Sequence, residues 1–439
     1  MPKNFTLQII PKHYQVAAAG WLNRFVASFC QIALISIALN YLGVELYAVF
    51  AIVLSLQCWF VLADCGIGSS IQNYISEARA RNTNLKQILS NTVILLWSLF
   101  FIFAVIVLIT APFLQYILLR HLAPELAHSQ YYLFSIVGII LIATAIFGVG
   151  YRVFFAQQRG YLVYLYQGIG YVIAIVDVLV IKHLNIVHYR LLALLVGWLL
   201  PILALAVVSF VQVFPINIRS ALQHFDLRII KALIVRGMKF WGLAITATFA
   251  VLSDYLVISQ TLNAHDITVY NILAKSFSFI FFIYMAVLNG LWPELAELFA
   301  KKEWHKANGL LKRNILLGMF IIAICTLVFF VAKNLVVTLL AVKTSLVIAS
   351  GPILLFGFYY LVRVWVDSYA VALQSQNFLK VSVIIATIQA MLSVSGMYFL
   401  SQHFGINGVI CGLLGALILT SMWVLPLFYY KRKEHFMLK

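Results

Sequence analysis

The sequence predicts an all-α integral membrane protein of about twelve transmembrane helices in two six-helix lobes, with both termini in the cytoplasm. Three observations carry that expectation. Of 439 residues, 64% are hydrophobic and 10% charged, against about 25% charged in a soluble domain. Apolar runs recur along the whole chain, and about 20 such residues cross one bilayer. Finally, Lys and Arg fall mostly on one side of those runs, as cytoplasmic loops require.

The runs lie near residues 17–40, 45–66, 89–112, 131–155, 161–181, 191–214, 239–260, 268–290, 314–333, 346–372, 380–401 and 405–429. The second barely spans. The small-residue run Ala17-Ala18-Ala19 precedes the first apolar stretch. A signal cleavage site would follow it, so that stretch is expected to remain as the first helix. With the N-terminus inside, 21 of the 30 Lys and Arg residues lie in cytoplasmic segments and 5 on the opposite side. The net charge of +17 is thereby explained as topology, and no nucleic-acid partner is expected.

The longest hydrophilic stretch, 215–238, separates an N-terminal lobe (1–214) from a C-terminal lobe (239–439) with a basic cytoplasmic tail. Six spans per lobe give the two lobes the same sense of entry. Weak internal similarity supports duplication. Val44-Glu45-Leu46-Tyr47-Ala48-Val49 and Asp266-Ile267-Thr268-Val269-Tyr270-Asn271 each open the second helix of a half. Each of those helices ends at a glycine, Gly66 or Gly290. Parallel repeats of this kind are a common transporter plan.

An ionised side chain at the centre of a span costs about 2.5–3.5 kcal/mol on insertion scales, so such residues normally face a bundle interior or a water-filled cavity. The candidates are Arg24, Asp64, Arg152, Asp177, Asp254, Lys275, Arg363 and Asp367. Arg152 and Asp177 lie near helix ends and can reach headgroups or water. Asp64, before Gly66 and Gly68, suits a helix terminus. Arg24 lies roughly 10 Å inside the first helix. Asp254 and Lys275 sit at similar depth on consecutive antiparallel helices and could pair, either statically or as an ion-sensitive switch. Arg363 and Asp367, four apart, share a helix face. They either pair with each other, or Arg363 faces a cavity and holds an anion. Arg24, Lys275 and Arg363 are therefore the candidate substrate contacts, and Asp254 and Asp367 the candidates for ion coupling or ion pairing.

Chemistry of other kinds is missing from the pattern. No HExxH, GxSxG or Walker A motif is present, and the histidines are scattered. The five cysteines lie in apolar segments without CxxC spacing and are expected to pack rather than bind metal. No catalytic residue, cofactor or metal is expected, and a secondary transporter is favoured over an enzyme.

The stretch LGVELYAVFAIVLSLQCWFVLADCGIGSSIQNYISEARA, from Leu42, carries a resemblance. Its LG…Y…F…SL opening, its D-x-G-x-G ending of helix 2 and its YISE-like continuation resemble the oligosaccharide flippases. These polysaccharide transporters belong to the superfamily that also contains the multidrug and toxin extruders. Asp64, Gly66, Gly68, Tyr74, Ser76 and Glu77 carry the pattern. Length, span count and six-plus-six layout extend it over the whole chain, which is most similar to bacterial O-antigen flippases of the Wzx type. The resemblance implies translocation of O-antigen oligosaccharide units on undecaprenyl diphosphate across the bacterial inner membrane. It further implies alternating access, coupling to H+ or Na+, contact with membrane lipids and association with the O-antigen polymerase machinery. Two alternatives stay open: a multidrug-type cation antiporter of the same fold, and a membrane glycan polymerase or ligase.

Overall fold

A computed structural model describes residues 12–80, 85–120, 132–157, 159–184, 186, 189–214, 221–340, 346–376 and 379–437. These residues are helical apart from short connections, and no strand occurs among them. In chain order the helices are α1 (Lys12–Ser55), α2 (Gln57–Phe60, continued by a 3-10 turn Val61–Asp64), α3 (Ile67–Ala80), α4 (Leu85–Leu119) and α5 (Tyr132–Phe147). Next come α6 (Val149–Ala156), α7 (Gly160–Leu184), α8 (Arg190–Val213), α9 (Leu227–Leu252) and α10 (Asp254–Thr261). The last five are α11 (Ala264–Ala300), α12 (Trp304–Leu340), α13 (Ser350–Gln374), α14 (Leu379–Leu419) and α15 (Ser421–Met437).

Eight stretches among the described residues are long and apolar enough to cross a membrane. Two of them, Ala19–Asp64 and Ile384–Lys431, run 46 and 48 residues, about twice one crossing. They bend at Gly43 and Gly405, where φ is 78° and 54°, so each supplies two crossings. Helices α9 with α10, and α11, complete the expected dozen. On α12, Leu316, Phe320, Leu327 and Val331 lie exposed along one face. Water would penalise such a stripe, whereas hydrocarbon does not.

The described residues of Met1–Ile37, Leu56–Ile117 and Leu126–Ala244 form one compact unit, and those of Ala38–Ser55, Leu118–Glu125 and Ile245–Lys439 form a second. The first unit is built on α7 against α8, with α5 and α6 packed on α8 and α3 on α6. Phe147 is its aromatic hub, with ring centroids 5.4 Å from Trp97 and 5.1 Å from Phe210. The second unit centres on α13, which packs against α11, α12, α14 and α15.

Two sequence expectations change. The stretch 215–238 is not a loop throughout, because α9 begins at Leu227. Charge counting hides this helix start, but its Leu233 and Gly237 are buried, one turn apart on the face that packs on α3. Second, Asp254 does not lie within a continuous helix: α9 ends at Leu252 and Asp254 opens α10.

Candidate functional site

The D-x-G-x-G segment forms a knot in the first unit. Cys65 and Gly66 take left-handed backbone, with φ of 50° and 71°, and turn the chain sharply out of α2. The Asp64 carboxylate accepts the Gly66 N–H at 2.8 Å and the Gly68 N–H at 3.2 Å, capping the start of α3. Such caps satisfy amides that a helix N-terminus leaves orphaned and suit a negative charge there. The glycines are required by close approach. A Cβ on Gly66 would stand 2.2 Å from the Gly237 carbonyl oxygen, and one on Gly68 would stand 2.7 Å from Asp64 Oδ2. Helix α9 is stitched to this turn along its length. Ser70 Oγ donates to the Leu233 carbonyl at 3.1 Å, and Trp241 Nε1 donates to the Leu62 carbonyl at 2.8 Å. The Arg236 guanidinium lies 4.8 Å from the Tyr74 ring centre, a cation–π contact.

Beside the knot is a cavity of about 450 Å³, lined among others by Gln57, Asp64, Arg152, Tyr164, Gln167 and Tyr171. Asn23 Nδ2 donates to Gln167 Oε1 at 3.2 Å.

The second unit holds a separate polar cluster on α10, α11 and α13. Arg363 Nε lies 3.5 Å from Asp367 Oδ2, and both side chains are about three-quarters buried, at 26% and 28% exposure. The Arg363 guanidinium sits 4.7 Å from the Phe281 ring centre and 5.7 Å from that of Tyr360. Phe277 stacks on Tyr360 at 5.8 Å, and the Ser278 and Tyr360 hydroxyls are 3.2 Å apart. One turn on, Ser368 donates to the Val364 carbonyl, so the Tyr284 hydroxyl donates to Ser368 Oγ at 2.6 Å. Asp254 Oδ2 accepts the Tyr270 hydroxyl at 2.6 Å and Oδ1 accepts the Tyr255 N–H at 2.9 Å. Asp254, Arg363 and Asp367 all lie within electrostatic reach of Tyr359.

The similar segments 44–49 and 266–271 meet within this unit. The buried Tyr47 hydroxyl donates to Asn271 Oδ1 at 2.9 Å, Asn271 Nδ2 donates to the Tyr255 hydroxyl at 2.5 Å, and Thr268 Oγ1 donates to the Val44 carbonyl at 3.3 Å. Replacing Tyr270 by Phe leaves Asp254 short of a donor and is expected to cost about 1–3 kcal/mol. A lowered aggregation temperature of the detergent-purified variant checks this. An unchanged temperature would mean that Asp254 does not depend on Tyr270.

The second unit thus gathers Asp254, Arg363 and Asp367, with Lys275, which is exposed, within electrostatic reach of Asp254. Arg24 and Arg152 are exposed in the first unit, Asp177 is half-buried on α7, and Cys58 is exposed rather than packed. Among the described residues no group of His, Cys, Asp or Glu could hold a metal. Sequence reading passed over Gln57, Gln167 and the tyrosines of the first cavity. An uncharged polar residue inside an apolar span raises no flag by charge, although Gln and Asn within spans are themselves uncommon enough to mark.

Solved structures place this fold. An inward-facing multidrug resistance MATE family transporter of the MOP superfamily superposes with a TM-score of 0.75, at 14% identity, covering 93% of this chain and 95% of its own. The lipid II flippase MurJ in an inward closed conformation superposes with a TM-score of 0.71, at 14% identity over 95% of this chain and 87% of its own. The fold is therefore that of the multi-pass MOP-superfamily transporters. No family model matches the sequence. Curated relatives nonetheless cover nearly all of it. A Salmonella typhi protein named as an O-antigen transporter is 32% identical over 429 residues, 97% of this chain and 98% of that protein. A Yersinia pseudotuberculosis protein named as an O-antigen export protein is 31% identical over 420 residues, 95% of each. The chain belongs to this family of bacterial O-antigen transporters. It is a multi-pass transporter of the bacterial inner membrane and not an enzyme.

Proposed function

We propose that the chain flips O-antigen oligosaccharide units, carried on undecaprenyl diphosphate, from the inner to the outer leaflet of the inner membrane. The observation that carries this reading is the near full-length similarity to relatives named for O-antigen transport and export. The lipid II flippase among the structures of the same fold supports a lipid-linked cargo. Unaided passage of diphosphate through hydrocarbon is prohibitive, since burying an unpaired charge costs tens of kcal/mol by Born estimates. The protein must supply polar partners along the way. Arg363, presented over Phe281 and Tyr360, offers a planar fork of donors suited to phosphate oxygens. Alternating access carries the cargo, with both termini cytoplasmic. Asp254 and Asp367 are the residues we assign to coupling with H+ or Na+.

Deleting the gene is expected to stop O-antigen display while lipid-linked units accumulate. Immunoblotting of lipopolysaccharide together with extraction of lipid-linked sugars reads this. Normal lipopolysaccharide with lost drug resistance would instead establish a cation antiporter. Lipopolysaccharide bearing single unpolymerised units would establish a polymerase.

A further inference from the structure

We propose that the cavity of the first unit is a carbohydrate subsite, which takes an uncharged, hydroxyl-rich part of the cargo through tyrosine faces and glutamine amides. This rests on the flippase reading and extends it to a site apart from the Arg363 cluster. A volume of about 450 Å³ lies in the range of small-molecule sites, about 300–1,000 Å³. Its chemistry decides the ligand class. The two formal charges at its wall cancel: both Asp64 oxygens are taken by the Gly66 and Gly68 amides, and Arg152 lies in the same carboxylate's field. No net charge remains to select a diphosphate or an organic cation. What remains are hydroxyls, amides and aromatic faces, which match the donors, acceptors and apolar C–H faces of a sugar ring.

The walls are held ready. Tyr171 is backed by Trp198, with ring centres 5.8 Å apart, and Tyr164 meets Phe155 edge-on at 5.7 Å. Gln167 is oriented by the Asn23 amide, which leaves the NH2 of Gln167 as a donor. Asn23 is buried behind Gln167, at 8% exposure, and holds that side chain from outside the cavity wall.

The test is saturation-transfer NMR on the detergent-purified full chain. The probe is O-polysaccharide from the source strain's own lipopolysaccharide, released from lipid by mild acid so that it carries neither lipid nor diphosphate. Transfer to sugar ring protons is expected with the wild type. Removing a ligand hydrogen bond, in Gln167→Ala or Gln57→Ala, is expected to weaken binding about tenfold. Ala145→Trp fills the cavity by bulk and is expected to abolish transfer. Using two amide variants and one bulk variant, each checked for a monodisperse elution profile, guards against one misfolded protein. Absence of transfer with the wild type, or wild-type transfer in all three variants, overturns the subsite. If either occurs while gene deletion still stops display, the subsite alone fails. If the deletion strain displays O-antigen normally, the flippase reading fails whatever the NMR shows.

Discussion

Gly66→Ala is expected to deplete the folded protein severely. The residue sits at φ 71°, and its Cβ would lie 2.2 Å from the Gly237 carbonyl oxygen, a backbone atom that no side-chain rotation moves aside. A left-handed backbone costs a residue with a Cβ roughly 1–2 kcal/mol, and relieving the overlap roughly 1–3 kcal/mol more. The displaced group is α9, so the Trp241 bond to the Leu62 carbonyl and the Ser70 bond to the Leu233 carbonyl are strained together. Gly242→Ala on the same helix is the control. Its Cβ would meet nothing within 4 Å, and alanine is the better helix former by about 1 kcal/mol. Membrane abundance and the monodisperse fraction after detergent extraction should fall several-fold for Gly66→Ala and stay unchanged for Gly242→Ala. Equal yields would show that the glycine motif is not the hinge of this packing.

Arg363→Ala is expected to reduce O-antigen display about tenfold or more, as loss of a charge-assisted contact worth about 1.5–3 kcal/mol requires. The single variant confounds two effects, because it also strands the largely buried Asp367, 3.5 Å away. Stranding one member of a buried pair destabilises by itself, whereas an apolar replacement of the whole pair is often tolerated. The double variant Arg363→Met with Asp367→Asn separates them. If the pair serves transport, through cargo contact at Arg363 or coupling at Asp367, this variant reaches normal abundance yet displays no O-antigen. Full display in the double variant would reduce Arg363 to a static packing role. Arg363→Lys keeps the charge but loses the planar fork and the stacking over Phe281. An intermediate level of display is expected from it.

How much could be read from the sequence depended on the range of the cause. Span count followed from composition, because length and hydropathy act locally. The D-x-G-x-G pattern was equally visible at Asp64, Gly66 and Gly68. Its reason was not, since the atom that forbids a side chain on Gly66 belongs to Gly237, far along the chain. The start of α9 was hidden because charge density marks a loop and a membrane-surface helix alike. The break at Ser253, which makes Asp254 the first residue of a helix, leaves no turn residue to read. Arg363 and Asp367 were recognisable as a pair from their spacing, but the aromatic bed beneath Arg363 required α11 to pack against α13. Of the first unit's cavity only the charged wall, Asp64 and Arg152, stood out; the glutamines and tyrosines beside them carry no charge and leave little mark in an apolar run.

Flipping itself is tested most directly by the sidedness of lipid-linked O-antigen units in spheroplasts. Cells lacking the polymerase are compared with and without this gene, using a membrane-impermeant sugar oxidant that reaches the outer leaflet alone. With the gene present, a large fraction of the lipid-linked units should be oxidised. Without it, the units should accumulate and remain protected until the membrane is permeabilised. Equal oxidation in intact spheroplasts of both strains would contradict the account.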